Sequence, residues 1–232
     1  MSAEGVPGMA GLAVPYADRA EAGRILGELV ARCGDLAEPV VVALPRGGVP
    51  VGAEVARRLH ATLMVMPVRK VGAPGQEELA LGAVAPGGVS VINDEVVAAL
   101  RLDDEAVGRL TALAAEKVAD QLRSYHGEAP MDLSGRSAVV VDDGLATGAT
   151  MWAALIAVRR LGPAKVVLAV PVAPPAALVG LAQFVDAEVC PLRPTNMHAV
   201  GSWYRDFAQT SDQEVLHLLA ELGPPGAEPG AV

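Results

Sequence analysis

The stretch Ala138-Val139-Val140-Val141-Asp142-Asp143-Gly144-Leu145-Ala146-Thr147-Gly148-Ala149-Thr150-Met151 decides the fold. Its first four residues are apolar, three of them β-branched, with no polar alternation. That pattern reads as a strand buried on both faces, as in a parallel sheet covered by helices. Two carboxylates then stand at the C-terminal end of the strand, where open α/β sheets bind ligands. The small residues and hydroxyls from 144 to 150 open a helix, and backbone N–H groups at a helix N-terminus suit a phosphate monoester. Acids beside a phosphate cradle make sense if they accept hydrogen bonds from sugar hydroxyls, or help hold Mg²⁺, while the loop takes a phosphate on the same sugar. The bland alternative is a strand-to-helix turn with an acidic cap; paired acids followed by Thr-Gly-x-Thr make it the weaker one.

Outward from this stretch, helical periodicity alternates with short β-branched runs, the pattern of βαβ units in an α/β protein. Upstream, Asp18 is an N-cap for a helix over 18–33 that Gly34 would end. A strand over 39–44, the turn Pro45-Arg46-Gly47-Gly48, a helix over 50–60 and a strand over 62–69 follow. Gly72, Pro74 and Gly75 with Glu77 and Glu78 predict an exposed, mobile lid-type loop over 70–81. A short strand over 89–92 precedes helical sequence over 94–125, divided near Leu102 and Asp103. Downstream come a helix over 149–162, a strand over 165–170, a helix over 176–184 and a short strand over 187–189. Ser211 and Glu214 have capping-box spacing for a helix ending near Leu222. The expected organisation is a partly flexible segment 1–17, one domain over 18–222 with hood elements at about 192–210, and a Pro- and Gly-rich disordered tail over 223–232.

Composition narrows the function. The 232 residues are 52% hydrophobic but only 3% aromatic, so the core must rest on Ala, Val and Leu within a single compact domain. The longest uncharged run, 166–185, is broken by Pro171, Pro174 and Pro175, which argues against a membrane span. With no basic region followed by an apolar core at the N-terminus, a cytoplasmic protein is expected. Cys33 and Cys190 have no partner at metal-ligand spacing and read as buried thiols. A net charge of −9 disfavours a nucleic-acid surface yet permits a local anion pocket. The P-loop, dinucleotide and Gly-x-Ser-x-Gly signatures are absent, and no Ser/His/Asp or Cys/His nucleophile set stands out.

The strand, acid pair and Thr-Gly-x-Thr loop resemble the signature of the type I phosphoribosyltransferases, which bind phosphoribosyl pyrophosphate (PRPP). Leu44-Pro45-Arg46-Gly47-Gly48-Val49 is similar to the family's pyrophosphate loop, and Val68-Arg69-Lys70-Val71-Gly72 to the start of its flexible catalytic loop. These elements agree in order and spacing over residues 18–210. The string 67–84, with Glu78-Leu79-Ala80-Leu81-Gly82, resembles a bacterial branch whose substrates are poorly defined.

The resemblance implies a three-layer, Rossmann-like parallel sheet of about five strands with a small hood, usually in a homodimer. It implies that Asp142 and Asp143 bind the ribose 2′- and 3′-hydroxyls and contribute to Mg²⁺ binding, directly or through water or those hydroxyls. Gly144, Leu145, Ala146, Thr147, Gly148, Ala149 and Thr150 would hold the 5′-phosphate. Arg46, Gly47 and Gly48 would contact pyrophosphate, and Arg69 and Lys70 would close over the leaving group. Family members acting on 6-oxopurines carry a third acid three positions after the pair; Ala146 stands there, so a hypoxanthine or guanine acceptor is disfavoured.

Trp203, Tyr204 and Phe207 hold three of the chain's seven aromatic rings within five residues. They could face a planar base, an amine or an amino sugar, or only pack the last helix on the sheet. Asp206 could accept from an acceptor N–H or pair with Arg205. His198 could face the same cleft or, as a lone loop histidine more often does, lie on the surface, and Trp152 reads as packing beneath the Thr loop. The expected activity is Mg²⁺-dependent phosphoribosyl transfer from PRPP to an acceptor nitrogen or hydroxyl, with no nucleic-acid or membrane partner. A non-catalytic PRPP or nucleotide sensor on the same fold is the alternative, although the 17 residues before Asp18 are too few and too little basic for a DNA-binding segment.

Overall fold

A computed structural model describes residues 14–74, 76–127 and 131–224, with the backbone alone at 76–79. The flexibility expected of residues 1–13 and 225–232, and the side chains of Glu77 and Glu78, lie outside the described residues. The chain runs α1 (Arg19–Val30), β1 (Val40–Ala43), α2 (Gly48–Leu59), β2 (Thr62–Val65), β3 (Arg69–Ala73), β4 (Gln76–Ala85) and β5 (Val89–Ile92). It continues α3 (Asp94–Ala99), α4 (Asp104–His126), β6 (Ser137–Val141), α5 (Ala149–Arg160), β7 (Lys165–Ala169), α6 (Pro175–Val179), β8 (Ala187–Val189) and α7 (Asp212–Leu222). Two 3₁₀ turns, Ala182–Phe184 and Val200–Trp203, complete the set.

Five strands form a parallel sheet in the order β2-β1-β6-β7-β8. Alternate side chains go to opposite faces, so each apolar strand feeds two cores. Val40, Val42, Ala138, Val140, Val166 and Leu168 meet Met151, Leu155 and Val158 of α5 on one face. Val41, Ala43, Val139, Val141, Val167 and Ala169 meet Leu26 and Val30 of α1, Val51 and Val55 of α2, and Val215 and Leu219 of α7 on the other. With almost no large rings, these layers rest on Ala, Val, Leu and Met, the Val, Leu and Met side chains each stabilising the fold by about 1.5–3 kcal/mol when fully buried.

The expected mobile loop over 70–81 is instead a β-hairpin. Residues of β3 pair antiparallel with β4, and β4 with β5, forming a separate three-stranded sheet. Gly72 and Pro74 do not mark a long loop: register shifts flank Gly72, and Ala73 already pairs with Gln76. Val71, Ala73, Leu81 and Val84 bury against α3 and α4, while Ala83, Ala85 and Val89 join the α5 core. The predicted strand over 62–69 is therefore two elements, β2 ending at Val65 and β3 beginning at Arg69. Likewise the predicted helix over 176–184 divides into α6 and a 3₁₀ turn. Helix α1 ends at Val30, and Gly34, with φ +86°, turns the chain beyond it.

Residues 16–17 are joined to residues 203–206 by a backbone seam. The Tyr16 N–H donates to the Trp203 carbonyl (2.9 Å), Arg205 N–H to Tyr16 (2.7 Å) and Asp206 N–H to Ala17 (2.9 Å). Tyr16, Ala22, Val172, Leu192 and Tyr204 form a small core beneath this seam.

Candidate active site

β1 and β6 are central neighbours, and Ala43 is in register with Val141. The segments that leave their C-terminal ends, 44–48 and 142–150, must therefore lie side by side. From β1 the chain adds β2 on one side of it, and β6 lies on the other, so this is the switch point where open α/β sheets form clefts. The Leu44 N–H continues the ladder to the Val141 carbonyl (2.9 Å). Pro45 and Arg46 are joined by a cis peptide. A Cβ on Gly47 would lie 2.0 Å from Asp143 Oδ2, and one on Gly48 would lie 2.9 Å from Asp142 Cα. Only glycine lets the turn press against the acid pair.

The cations singled out in sequence share one space. Arg46, Arg69 and Lys70 line an open cleft of about 560 Å³ together with Pro45, Val68, Gln121 and Asp212. Arg69 and Lys70 are exposed on β3, whose pairing with β4 fixes their backbone. Arg46 Nη1 lies 3.4 Å from Asp212 Oδ2, and Asp212 Oδ1 also accepts from the Tyr125 hydroxyl (3.1 Å). Three cations and one acid, Asp212, therefore line this cleft, a positive balance on a chain of charge −9.

The Thr loop leaves the acid pair at the C-terminal end of the central strand β6. Gly144 passes where a Cβ would meet Val200 Cγ1 at 2.6 Å, and the Leu145 N–H is tied to the Val172 carbonyl (3.0 Å). Ala146 and Thr147 are exposed, and Gly148, with φ +79°, turns the backbone into α5. Trp152 does not pack beneath this loop. Its ring is 40% exposed and tilts against Phe184 at 6.1 Å, because the α5 face beneath is filled by Met151, Ala154 and Leu155.

Burial raises the carboxyls of both Asp142 and Asp143, Asp142 well above the ordinary range because the Asp143 charge adds to the desolvation. At Asp143 the Arg19 guanidinium opposes the rise. Arg19 Nε and Nη2 each lie 2.8 Å from Asp143 Oδ2, with both side chains nearly buried. Asp142 Oδ1 accepts the Asp143 N–H (2.8 Å). The pair is thus asymmetric: both carboxyls are raised, Asp143 less so because Arg19 opposes its burial, and Asp142 is the carboxyl that keeps a proton longest.

The hood residues divide. Tyr204 is buried, and its hydroxyl donates to the Asp143 carbonyl at 2.6 Å, so it braces the acid pair from behind. Burial raises that phenol, keeping it a donor. Phe207 is 36% exposed, stacks at 5.1 Å on Tyr204 and carries the Arg19 guanidinium 3.8 Å above its ring centroid. Trp203 is half-buried over the hood core. Asp206 caps the Ala208 N–H (3.0 Å), and among the described residues it has no ion pair with Arg205. His198 is exposed. Of the cysteines, Cys190 is buried and Cys33 half-buried.

Sequence reasoning missed Arg19, Tyr16, Gln121, Tyr125 and Asp212. Arg19 did leave a signal: a cation in the first turn of a helix opposes the helix dipole and calls for a partner elsewhere. It also stands four and eight residues before Gly23 and Gly27, which face α2 so closely that a Cβ on Gly23 would lie 2.6 Å from the Val51 carbonyl.

A family model described as a phosphoribosyl transferase domain matches residues 17–180. Two curated relatives from Mycobacterium tuberculosis, "Putative phosphoribosyl transferase Rv0571c" (strain H37Rv) and "Putative phosphoribosyl transferase MT0597" (strain CDC 1551), are each 45% identical over 220 residues. The match covers 94% of this chain and 49% of theirs, so the chain spans about half the length of the curated relatives it matches. Among solved structures, TT1426 from Thermus thermophilus superposes with a TM-score of 0.74 at 43% identity, over 90% of this chain and 99% of that one. Among the described residues no helix is long and apolar enough to cross a membrane.

Proposed function

The chain belongs to the type I phosphoribosyltransferase family, and from that premise we propose that it moves the 5-phosphoribosyl group of PRPP to a nitrogen or hydroxyl of a small acceptor, releasing pyrophosphate. One observation carries the reading: the Gly47-Gly48 turn lies against Asp142 and Asp143, beside a cleft lined by Arg46, Arg69 and Lys70. A sugar held by the acids with its 5′-phosphate on the Thr loop would direct its anomeric substituent toward those cations.

Each group then has a task. Asp142 and Asp143 accept hydrogen bonds from the ribose hydroxyls and offset positive charge on the sugar as the anomeric C–O bond breaks. The backbone and hydroxyls of Thr147 and Thr150 hold the 5′-phosphate. Arg46, Arg69 and Lys70 stabilise charge growing on the departing pyrophosphate, the largest electrostatic demand of the step. The acceptor lone pair forms the new bond to the anomeric carbon, and its proton leaves to solvent.

The donor set suits Mg²⁺ held mainly by substrate. Asp142 and Asp143 supply hard oxygens, and among the described residues no third His, Cys, Asp or Glu joins them in a cluster, whereas Mg²⁺ readily keeps waters and substrate phosphates as its other ligands. When bound, the ion would neutralise pyrophosphate charge. Trp203, Tyr204, Asp206 and Phe207 belong to the acceptor side in this reading, with Tyr204 acting through Asp143. Ala146 offers no carboxylate to an acceptor, which favours acceptors other than 6-oxopurines. A cytoplasmic homodimer without nucleic-acid or membrane partners belongs to the same reading.

The test is a screen of nucleobases, amines and amino sugars with PRPP and Mg²⁺, scored by pyrophosphate release. Acceptor-dependent release supports transfer. Tight PRPP binding with no release across the screen would favour the non-catalytic sensor instead.

A further inference from the structure

Arg19 touches both halves of the site. Its Nε and Nη2 hold Asp143 Oδ2, its Nη1 donates to the Ala208 carbonyl at 2.6 Å, and its face lies 3.8 Å above the Phe207 ring. The hood is keyed to the same acid a second time, through the Tyr204 hydroxyl on the Asp143 carbonyl. Gly47 also packs close on this acid, where a Cβ would lie 2.0 Å from Asp143 Oδ2 and 3.2 Å from Arg19 Nε. Arg19 itself is fixed: it opens α1, and Gly23 and Gly27 let that helix lie close on α2, which begins at the same Gly47-Gly48 turn.

An ion pair serving stability alone would need only the charge. This guanidinium is shared among a carboxylate, a backbone carbonyl and an aromatic face, which a planar fork can serve together and an ammonium cannot. Moving Asp143 Oδ2 therefore moves a group on which Phe207 and Ala208 rest.

We propose that Arg19 is a positioning residue that ties the aromatic hood to Asp143, so that a sugar diol engaging this carboxylate is registered at Phe207 and Ala208 on the acceptor side. The donor-linked half of this inference rests on the reading that Asp143 meets ribose hydroxyls; the tie itself does not.

Trp203 reports on the hood once Trp152, the other tryptophan, is replaced by Phe. In that background Arg19→Lys, Arg19→Met and Phe207→Ala are compared without ligand by acrylamide quenching of Trp203, with circular dichroism confirming the fold. Breaking the three-way contact, by removing the guanidinium or the ring or by an ammonium that cannot serve carboxylate, carbonyl and ring together, should raise Trp203 quenching about two- to five-fold in all three. Arg19→Lys is the decisive variant, because it keeps the charge; quenching equal to the parent would overturn the tie. Adding PRPP with Mg²⁺ should shift Trp203 emission in the parent. It should leave emission unmoved in Arg19→Lys even where calorimetry finds PRPP bound. Equal shifts in both, or a parent that binds PRPP with no shift, would overturn the coupling. A parent that binds no PRPP would refute the proposed donor site, and the ligand-free quenching would then decide the tie by itself.

Discussion

Residues 142–150 reach the site in unbroken sequence from one strand, one turn and one helix, whereas the hood over them joins residues 14–19 to residues 203–208 across almost the whole chain. The first region is specified by local chemistry: a buried strand, two acids, small residues and a helix start. The second exists only because the fold brings distant segments together, and its energetics hang on single contacts at Arg19, Tyr16 and Tyr204. On the proposed function, the donor half is encoded locally and the acceptor half by distant segments, so the second can vary while the first is kept.

Substitutions can break that comparison. The largest effect is expected from Asp142→Asn with Asp143→Asn, which removes two charged acceptors at about 1.5–3 kcal/mol each and so lowers PRPP affinity by roughly 100-fold or more. Calorimetry reads the loss, and circular dichroism should show an intact fold. Gly47→Ala comes next, since its Cβ would lie 2.0 Å from Asp143 Oδ2. Overpacking there should cost about 1–3 kcal/mol in denaturant melts and weaken PRPP about tenfold or more, and because the same Cβ would lie 3.2 Å from Arg19 Nε it should loosen the hood contacts of Arg19 as well. Trp203→Ala should raise the acceptor KM by about tenfold while PRPP affinity stays within about twofold, in line with about 1–3 kcal/mol for truncating an aromatic contact. Equal losses for donor and acceptor would make Trp203 a packing residue and erase the distinction between the two regions.

The smallest effect sharpens the comparison from the side of stability. Burial raises the Asp142 carboxyl, so the folded state holds its proton more tightly than the unfolded chain does. Any stability linked to that proton is fully present below the unfolded value of 3.8 and is lost as pH rises through the folded value. Asp142→Asn removes this penalty while keeping an Oδ1 for the Asp143 N–H. At pH 7 the variant should melt higher by about 2–4 °C per kcal/mol recovered, with the gain shrinking toward pH 4. A gain constant across that range would contradict the assignment. Loss of PRPP binding together with a rise in Tm would mark Asp142 as a residue kept for function at the expense of stability.

Most of the parallel sheet was legible because the runs 40–43, 138–141 and 166–169 are short and apolar on both faces. The two turns were legible as motifs, and adjacent, in-register strands turn their likeness into contact. The hairpin over 69–85 was not. Its Gly, Pro and Glu content dominated the reading, and its pairing partner lies across a turn too tight for composition to reveal. Trp152 was misplaced for a similar reason: which face of α5 is buried depends on a second sheet absent from local sequence. Arg19 escaped because its partners lie 124 and 189 residues away.

The central claim is that the turn after β1 and the loop after β6 form one donor site. It is tested most directly by titrating PRPP with Mg²⁺ into the wild-type chain and repeating the titration in the presence of pyrophosphate, then of ribose 5-phosphate. The account predicts saturable one-to-one binding that each fragment displaces, pyrophosphate from Arg46, Arg69 and Lys70 and ribose 5-phosphate from the acid pair and Thr loop. No binding, or binding that either fragment leaves untouched, would contradict it.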